Sequence, residues 1–406
     1  MKADILSITE KIRQETEKII LGKPRQIRMI IMALLAEGHV LLDDLPGLGK
    51  TTLVKTLSIV LGCDFRRIQF VPDLLPSDIM GMKIYNQKSG EFQLVRGPLM
   101  THIVLADEIN RAIPRTQAAL LEAMEEKQIT IDGQTYPLPA PFMVMATQNP
   151  VETESTFQLP VAQMDRFLIR LSLGYLEHDD ERKMLEELGD GIPFDTIGNV
   201  TNATEITAMQ EDVKSVYVSR PVADYIVSLV QKTREHPMVK MGASPRASRS
   251  LYKAAKAWAA MSGRAFVTPV DIQTILYPVM AHRLMLSNEA RLSGRTAGHI
   301  IEDVLKLIPV PPGREELFRE KQASRGKLFQ FIREHPGHSV LFRRGDRRRI
   351  GGLQRARAFF IADFFALPDC QGLGRFCAQE HFRLPVHAGG PALSRSGSGP
   401  DLYRIQ

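Results

Sequence analysis

A glycine-rich turn followed by a lysine and two threonines is the first group of residues that could do chemistry. Residues 41–55 read LLDDLPGLGKTTLVK. Backbone N–H groups at the start of a helix bind phosphate, and a lysine beside them adds positive charge. We therefore expect Lys50 to contact the β- and γ-phosphates of a nucleoside triphosphate, and Thr51 to bind Mg²⁺ through its hydroxyl. The loop residues expected around the phosphates are Pro46, Gly47, Leu48, Gly49, Lys50, Thr51 and Thr52.

The turn departs from the strict phosphate-loop pattern at one position. The pattern has a glycine, four further residues and then Gly-Lys-Ser/Thr, whereas this chain has Asp44 at the first glycine. Asp44 stands at the entry of the loop and need not block its N–H groups, although a carboxylate is an unfavourable neighbour for phosphate. The alternative interpretation is a glycine turn that merely begins a helix.

A pair of acids follows a second apolar run, HIVLADE at residues 102–108. We expect Asp107 to hold Mg²⁺ partly through water, and Glu108 to orient and deprotonate a water that attacks the γ-phosphate. Acid pairs are common where strands end, so the pair alone is a weak signal. The lysine turn and the acid pair together, in this order, predict hydrolysis of ATP to ADP and phosphate.

Three more polar residues could complete a hydrolytic site. Asn149 follows the apolar run FMVMATQ and could align the water, or it could be an ordinary turn residue before a proline. Arg166 could reach the nucleotide of a neighbouring subunit as an arginine finger does, or it could form a salt bridge with nearby acids. Arg246 falls in the first turn of a predicted helix, where a cation opposes the helix dipole. That position makes sense if Arg246 and the helix end both face a phosphate.

The elements that must position these residues are strands that alternate with helices. Such alternation predicts an α/β fold with a parallel sheet covered by helices. Two hairpins interrupt it, at 82–95 and 127–138, and Asp132-Gly133 in the second is a strong hairpin turn. From about residue 205 the pattern is helical. The predicted strands are 38–44, 65–70, 102–108, 142–148 and 166–173, and the four clearest later helices begin near residues 222, 244, 268 and 297.

Composition and charge limit the class of protein. No apolar run approaches the roughly 18 residues that a membrane-spanning helix requires, and three cysteines form no disulfide framework, so we expect a cytoplasmic protein. The net charge of +6 is uneven, because residues 314–406 hold 17 Lys and Arg against 9 Asp and Glu, whereas residues 1–313 have a net charge of −2.

Several long stretches resemble the MoxR family of AAA+ ATPases. The resemblance covers roughly residues 1–313, and its most specific part runs from Leu105 to Gly133. The stretches that carry it are LLDDLPGLGKT, DLLPSDIMG, VRGPL, LADEINRAIPRTQAALLEAMEEKQITIDG, MATQNPVETESTFQLPVAQMDRFL and GASPRASRSL.

The resemblance implies an AAA+ core at 1–180 and a small all-α lid domain at 181–313. It assigns Lys50, Thr51, Asp107 and Glu108 to the two Walker elements, Asn149 to sensor 1, Arg166 to the arginine finger and Arg246 to sensor 2. It identifies 82–95 as the helix-2 insert and 127–138 as the pre-sensor hairpin. It also implies rings, usually hexamers, that do chaperone-like work on a protein client. That work includes metal or cofactor insertion, and partners often carry a von Willebrand A domain.

The basic, Arg- and Gly-rich tail at 314–406 resembles no family, and we predict that it is poorly ordered. Such a tail could bind nucleic acid through phosphate contacts, or it could be an unstructured extension or a reading-frame artefact. A metal site made of Cys370, Cys377, His381 and His387 is disfavoured, because their spacing fits no tight zinc pattern.

Two other functions compete with the ring-forming ATPase. A nucleic-acid-dependent motor would need a positive track, and the charge of −2 over residues 1–313 disfavours it. A nucleotide-regulated scaffold with little turnover is disfavoured by the presence of both Glu108 and Arg166.

Overall fold

The computed structural model describes residues 4–148, 157–189 and 191–311, together with the backbone of four short segments nearer the C-terminus. The chain forms two compact units, Met1–Pro311 and Pro312–Gln406. The strands of the first unit are β1 (Val40–Asp43), β2 (Phe65–Gln69), β3 (Gly81–Asn86), β4 (Glu91–Arg96), β5 (Ile103–Asp107), β6 (Gln128–Ile131), β7 (Gln134–Pro137), β8 (Met143–Gln148), β9 (Ile169–Leu171), β10 (Val239–Met241) and β11 (Met285–Leu286).

Thirteen α-helices are described in the first unit. They are α1 (Ile5–Glu17), α2 (Pro24–Leu35), α3 (Lys50–Val60), α4 (Pro76–Met80), α5 (Pro114–Glu126), α6 (Val161–Met164), α7 (His178–Leu188), α8 (Ala203–Lys214), α9 (Arg220–Glu235), α10 (Pro245–Met261), α11 (Pro269–Met280), α12 (Asn288–Leu292) and α13 (Ala297–Leu307). None of the helices described here is both long and apolar enough to cross a membrane.

A five-stranded parallel sheet with the order β2-β5-β8-β1-β9 forms the centre of the α/β part. The three inner strands β5, β8 and β1 are buried on both faces, which is why their sequences are nearly continuous apolar runs. Val40 and Leu42 contact one apolar cluster and Leu41 contacts the other. The predicted α/β fold with a parallel sheet flanked by helices is confirmed.

The fifth strand is shorter than the sequence predicts. We expected a strand over 166–173, but β9 covers only Ile169–Leu171. The carbonyl groups of Phe167 and Leu168 accept hydrogen bonds from the Arg283 side chain, so this part of the chain is a turn and not a strand.

Both predicted hairpins are present. β3 pairs with β4, and β6 pairs with β7. Asp132 and Gly133 both have positive φ, 47° and 76°, as the tight turn between β6 and β7 requires.

Two glycines lie at the base of the β3–β4 ribbon, where backbone meets backbone. A Cβ added to Gly81 would lie 2.3 Å from the Val95 carbonyl oxygen, and one added to Gly97 would lie 2.4 Å from the Gly81 nitrogen. No side chain larger than glycine fits between these two segments without displacing the backbone.

The C-terminal part of the first unit is mainly helical, as the pattern after residue 205 predicts. α10 contacts α9 and α11, and it also contacts α1 and α2 from the start of the chain. One apolar cluster includes the inner faces of α1, α2 and α10 together with one face of the sheet. The helices are therefore packed on the sheet through a shared core. The boundary at 180, which falls within α7, and the boundary at 313 stay predictions.

The second unit is described only by four short strands. They are β12 (Leu341–Arg344), β13 (Ala356–Phe359), β14 (Ser394–Arg395) and β15 (Leu402–Arg404), which pair antiparallel in the order β13-β12-β15-β14. The four residues of the disfavoured metal site lie outside the described residues. Within the described residues no group of three or more His, Cys, Asp or Glu side chains could hold a metal.

Candidate nucleotide site

The glycine-rich turn lies between β1 and α3. Gly47 and Gly49 have φ values of 85° and 78°, a left-handed conformation that glycine adopts without strain. α3 begins directly after Gly49, and among the described residues no side chain caps its first turn. The N–H groups of that turn are therefore available for an anion.

Lys50 and Asp44 are oriented in different directions. Lys50 Nζ donates a hydrogen bond to the backbone oxygen of Asp44 at 2.7 Å, which holds the amine across the turn. The Asp44 carboxylate, buried at 4% exposure, accepts hydrogen bonds from Ser172 Oγ at 2.6 Å and from the Leu173 and Gly174 N–H groups at 2.8 and 3.1 Å. The acid that replaces the first glycine thus binds the chain after β9, and its charge is satisfied there.

Asp107 ends β5, at the same edge of the sheet as the glycine turn. Its Oδ1 accepts a hydrogen bond from Thr147 Oγ1 at 2.7 Å, and its Oδ2 lies 2.6 Å from Arg67 Nη2. Thr147 is the next-to-last residue of β8 and also accepts a hydrogen bond from the Glu108 N–H at 2.8 Å. The two neighbouring strands therefore fix the position of both acids.

Glu108 adopts a left-handed backbone conformation with φ 58° and ψ 49°. A positive φ is uncommon for residues other than glycine, and it occurs at functional sites. Its Oε2 accepts a hydrogen bond from Gln69 Nε2 at 2.7 Å and lies 3.3 Å from Arg111 Nε. The carboxylate is thus held at the end of the sheet by side chains from β2 and from the turn after β5.

Arg246 lies in the first turn of α10, as predicted. Ser244 is the N-cap, and its hydroxyl accepts a hydrogen bond from the Arg246 N–H at 3.1 Å. Arg166 lies in the turn between α6 and β9, so its placement on a strand was wrong. Both arginines pair with the carboxylate of Glu125 on α5.

The structure thus brings the predicted loop, Lys50, Asp107 and Glu108 to one edge of the sheet, and Thr51 and Thr52 lie in the first turn of α3. Asn149 lies outside the described residues.

Sequence reasoning missed several polar residues that hold the acids. Arg67 and Gln69 occupy alternate positions of β2, and this polar alternation within FRRIQF was a signal that could have identified them. Arg283 was also missed. It is a single charge beside the apolar run ILYPVMAH, and a buried charge at such a position requires a partner.

Two protein-family models and several known proteins match this chain. A family model described as ATPase family associated with various cellular activities (AAA) matches residues 39–169, and a model of the AAA lid domain matches residues 231–304. The chain is 46% identical over 311 residues to the Bacillus subtilis protein YeaC, a match that covers 77% of this chain and 97% of that protein. It is 39% identical over 306 residues to Chaperone MoxR1 of Mycobacterium tuberculosis, a match that covers 73% of this chain and 81% of that protein.

A more distant relative and a solved structure agree with these matches. Protein MoxR of Methylorubrum extorquens is 29% identical over 340 residues and is covered over 97% of its length. A solved structure from Cytophaga hutchinsonii superimposes with a TM-score of 0.71 at 37% identity, covering 76% of this chain and 97% of that one.

Proposed function

This chain belongs to the MoxR family of AAA+ ATPases, and we propose that it hydrolyses ATP in an oligomeric ring to remodel a protein client. The observation that carries the proposal is the meeting of the glycine turn and the acid pair at one edge of the sheet. Strand ends at one edge of a parallel sheet are the usual position of a ligand site in such folds.

The phosphates of ATP fit the turn before α3. The N–H groups from Gly47 to Thr52 would bind the phosphate oxygens. The amine of Lys50 would leave its hydrogen bond with the Asp44 carbonyl and contact the β- and γ-phosphates instead. A hydroxyl at Thr51 and a carboxylate at Asp107 are hard oxygen ligands, which suit Mg²⁺. Mg²⁺, held directly or through water, neutralises charge on the phosphates when it is bound.

Glu108 is the proposed general base. Its backbone N–H is fixed by Thr147 and one carboxylate oxygen by Gln69, so the side chain is oriented at the end of the sheet before substrate arrives. It would accept a proton from the attacking water, which Asn149 would help to align.

The two arginines would stabilise the charge that develops on the γ-phosphate. Arg246, in the first turn of α10, pairs with the same Glu125 carboxylate as Arg166 and would therefore contact the same nucleotide as Arg166. Arg166 would contact the nucleotide of the next subunit, which makes a complete site the product of two chains. An oligomer, which we take to be a hexamer as in the family, is therefore part of the proposal.

The proposed contact with a client involves the β3–β4 ribbon. Five large apolar side chains of this ribbon are exposed, with Phe92 at 69% and Tyr85 at 53%, and the others are Met82, Ile84 and Val95. Exposed apolar groups on a ribbon are typical of a surface that contacts another protein. By family resemblance we extend the proposal to a cytoplasmic location of this protein, to a client that matures by metal or cofactor insertion, and to a partner with a von Willebrand A domain.

The test combines two substitutions with matched controls. Glu108→Gln should bind a fluorescent ATP analogue normally and lose turnover by about 10²–10⁴-fold, since the general base is absent. Arg166→Ala should also bind the analogue and lose turnover by about 10³-fold or more. The controls Glu122→Gln and Arg182→Ala change exposed residues of α5 and α7 and should behave as wild type.

Turnover per subunit should also rise with protein concentration as rings form. A wild-type protein without affinity for ATP would overturn the whole proposal, and normal turnover in Arg166→Ala would overturn the contribution in trans. Co-purification with Glu108→Gln, in which ATP is bound and not cleaved, would then identify the client.

A further inference from the structure

A pocket of about 330 Å³ lies where α4, α5, β3 and β6 meet, outside the nucleotide site. Five apolar residues line it, namely Leu75, Pro76, Met80, Met82 and Ile131. Two charged residues line it as well, Arg115 on α5 and Asp132 in the turn after β6. Ligand pockets measure about 300–1,000 Å³, so this one suits a few side chains of a peptide better than a large cofactor.

Hydrogen bonds hold the walls of the pocket in place. Thr116 Oγ1 donates to the Leu74 carbonyl at 2.6 Å, which joins the chain before α4 to the first turn of α5. Lys83 Nζ donates to Gln134 Oε1 at 2.9 Å, which joins β3 to the second hairpin. A peptide that enters the pocket therefore meets walls that are already ordered, and this lowers the entropic cost of binding.

Arg115 is a cation that other described residues leave without a partner. It is the second residue of α5 and is exposed. A positive charge in the first turn of a helix opposes the helix dipole. Arg115 makes neither a hydrogen bond nor an ion pair with any other residue that the structure describes. Its guanidinium is therefore available to a carboxylate, whose two oxygens it can bind together.

The apolar rim of the pocket continues into the exposed surface of the β3–β4 ribbon. Leu75 is 53% exposed and Met82 is 41% exposed. Met82 is also one of the five ribbon side chains that the proposed function assigns to the client. Methionine adapts its shape to different neighbours, so Met80 and Met82 can pack against more than one kind of apolar side chain.

We propose that this pocket binds the client, and that it takes a peptide segment in which an apolar side chain is followed by a single carboxylate. The inference rests on the proposed function and deepens it, because it names the chemistry of the bound segment. The apolar side chain would pack on Met80 and Met82, and the carboxylate would pair with Arg115. Asp132, which also lines the pocket, would repel a second carboxylate, so a run of acids is disfavoured.

The test measures the binding of two labelled peptides to the full-length protein by fluorescence anisotropy in the presence of ATP. Both peptides are rich in glycine and serine, and one carries several Leu-Asp pairs where the other carries Leu-Asn pairs. Wild type should bind the Leu-Asp peptide about two- to five-fold more tightly, which is the effect of one partly exposed ion pair. Arg115→Gln should bind both peptides equally. The control Lys88→Gln removes an exposed positive charge at the tip of the ribbon and should keep the preference.

A second variant tests the apolar part of the pocket. Thr130 lines the pocket, and its hydroxyl lies 3.4 Å from the Thr135 hydroxyl across the hairpin. Thr130→Phe places a ring in the pocket and should weaken the binding of both peptides about ten-fold or more, because the leucine side chain is no longer buried. Thr135→Phe loses the same hydroxyl contact at a position that does not line the pocket, and it should bind as wild type does. Melting temperatures of the two variants should agree with each other.

Three results would overturn the inference. They are binding of neither peptide by wild type, equal affinity of wild type for both peptides, and a preference that survives in Arg115→Gln. If Thr130→Phe impairs ring assembly and leaves peptide binding unchanged, a neighbouring copy of the chain occupies the pocket and the inference is also wrong. Failure of the proposed function is recognised separately, by a wild type that does not bind ATP or by an active Arg166→Ala, whichever peptide is preferred.

Discussion

Arg283 Nε lies 2.6 Å from Asp165 Oδ1, and the arginine side chain is 1% exposed. Burial lowers the pKa of Arg283, while the attraction and hydrogen bond of Asp165 raise it. The guanidinium of Arg283 also donates a hydrogen bond to Ser250 Oγ at 3.1 Å. A buried arginine with these partners fixes the segment before β9 onto the helices that follow.

Replacement of Arg283 by methionine should destabilise the fold strongly. The change leaves the Asp165 carboxylate nearly buried and without its cation, which typically costs about 3–5 kcal/mol. Urea unfolding monitored by circular dichroism would measure the free energy of unfolding. The matched control is Arg295→Met, because Arg295 pairs with Asp303 while 38% exposed and should cost about 1 kcal/mol or less. Similar small losses in both variants would contradict the role of the buried pair.

Because His39 is buried, the folded protein should become less stable in mild acid. Its Nδ1 accepts a hydrogen bond from the Val144 N–H, and its Nε2 contacts the Met124 carbonyl oxygen, both at 3.0 Å. The pKa of His39 falls from 6.5 to about 4, mainly because the side chain is buried. The positive charges of Lys127 and Lys253 contribute to this decrease, whereas the contact with the Met124 carbonyl opposes it. The unfolded chain therefore binds a proton below pH 6.5, whereas the folded chain does not until about pH 4.

Stability from His39 is thus complete above pH 6.5 and falls as the pH decreases from 6.5 to 4, by roughly 3 kcal/mol in total. Unfolding free energies measured at several pH values in wild type and His39→Gln would check this. The glutamine side chain can donate and accept but does not titrate, so the slope over this window should decrease. An identical slope in both proteins would contradict a neutral, buried His39.

Arg67 should compete with Mg²⁺ for Asp107. Its guanidinium lies 2.6 Å from Asp107 Oδ2 and is 48% exposed, so the pair is weak enough to be exchanged. In Arg67→Ala the Mg²⁺ concentration for half-maximal turnover should fall about two- to five-fold, because one competing cation is removed. Arg66→Ala, an exposed neighbour on the same strand, is the control and should leave this concentration unchanged. An increased requirement for Mg²⁺ in Arg67→Ala would contradict the competition.

Asp44→Gly restores the strict loop pattern, and we expect it to harm the protein. The change leaves the buried N–H group of Leu173 without its acceptor, at about 1–3 kcal/mol, and also the partly buried N–H group of Gly174. It should lower the melting temperature without tighter ATP binding, since the carboxylate is turned toward residues 172–174. Asp44→Asn keeps one acceptor oxygen and should give an intermediate melting temperature. Tighter binding of a fluorescent ATP analogue by Asp44→Gly would show that the acid does oppose phosphate.

Local patterns were sufficient to predict most of the fold. β1 and β5 are uninterrupted apolar runs, and the Asp132-Gly133 turn allows few other conformations, so sequence neighbours determine these elements. The position of Arg246 in the first turn of α10 followed equally from its N-cap serine and the proline after it.

Contacts between distant residues could not be predicted in the same way. Arg246 and Glu125 are 121 positions apart, and α5 carries three glutamates that the sequence does not distinguish. The start of the strand predicted over 166–173 was also misjudged, because Arg283, from a different part of the chain, binds the carbonyl groups of Phe167 and Leu168. Which of several equivalent acids meets a given arginine is decided by tertiary packing.

The contact between Gly81 and Gly97 determines how the ribbon can move. The backbone at Gly81 lies directly against the backbone at Gly97, so no side chain lies between them that could rearrange if α4 rotated. Six residues of β3 extend about 20 Å, so a rotation of roughly 10° at the base would carry the tip through about 3 Å. A small change of angle at α4 would therefore be enlarged into a displacement of several ångströms near Phe92.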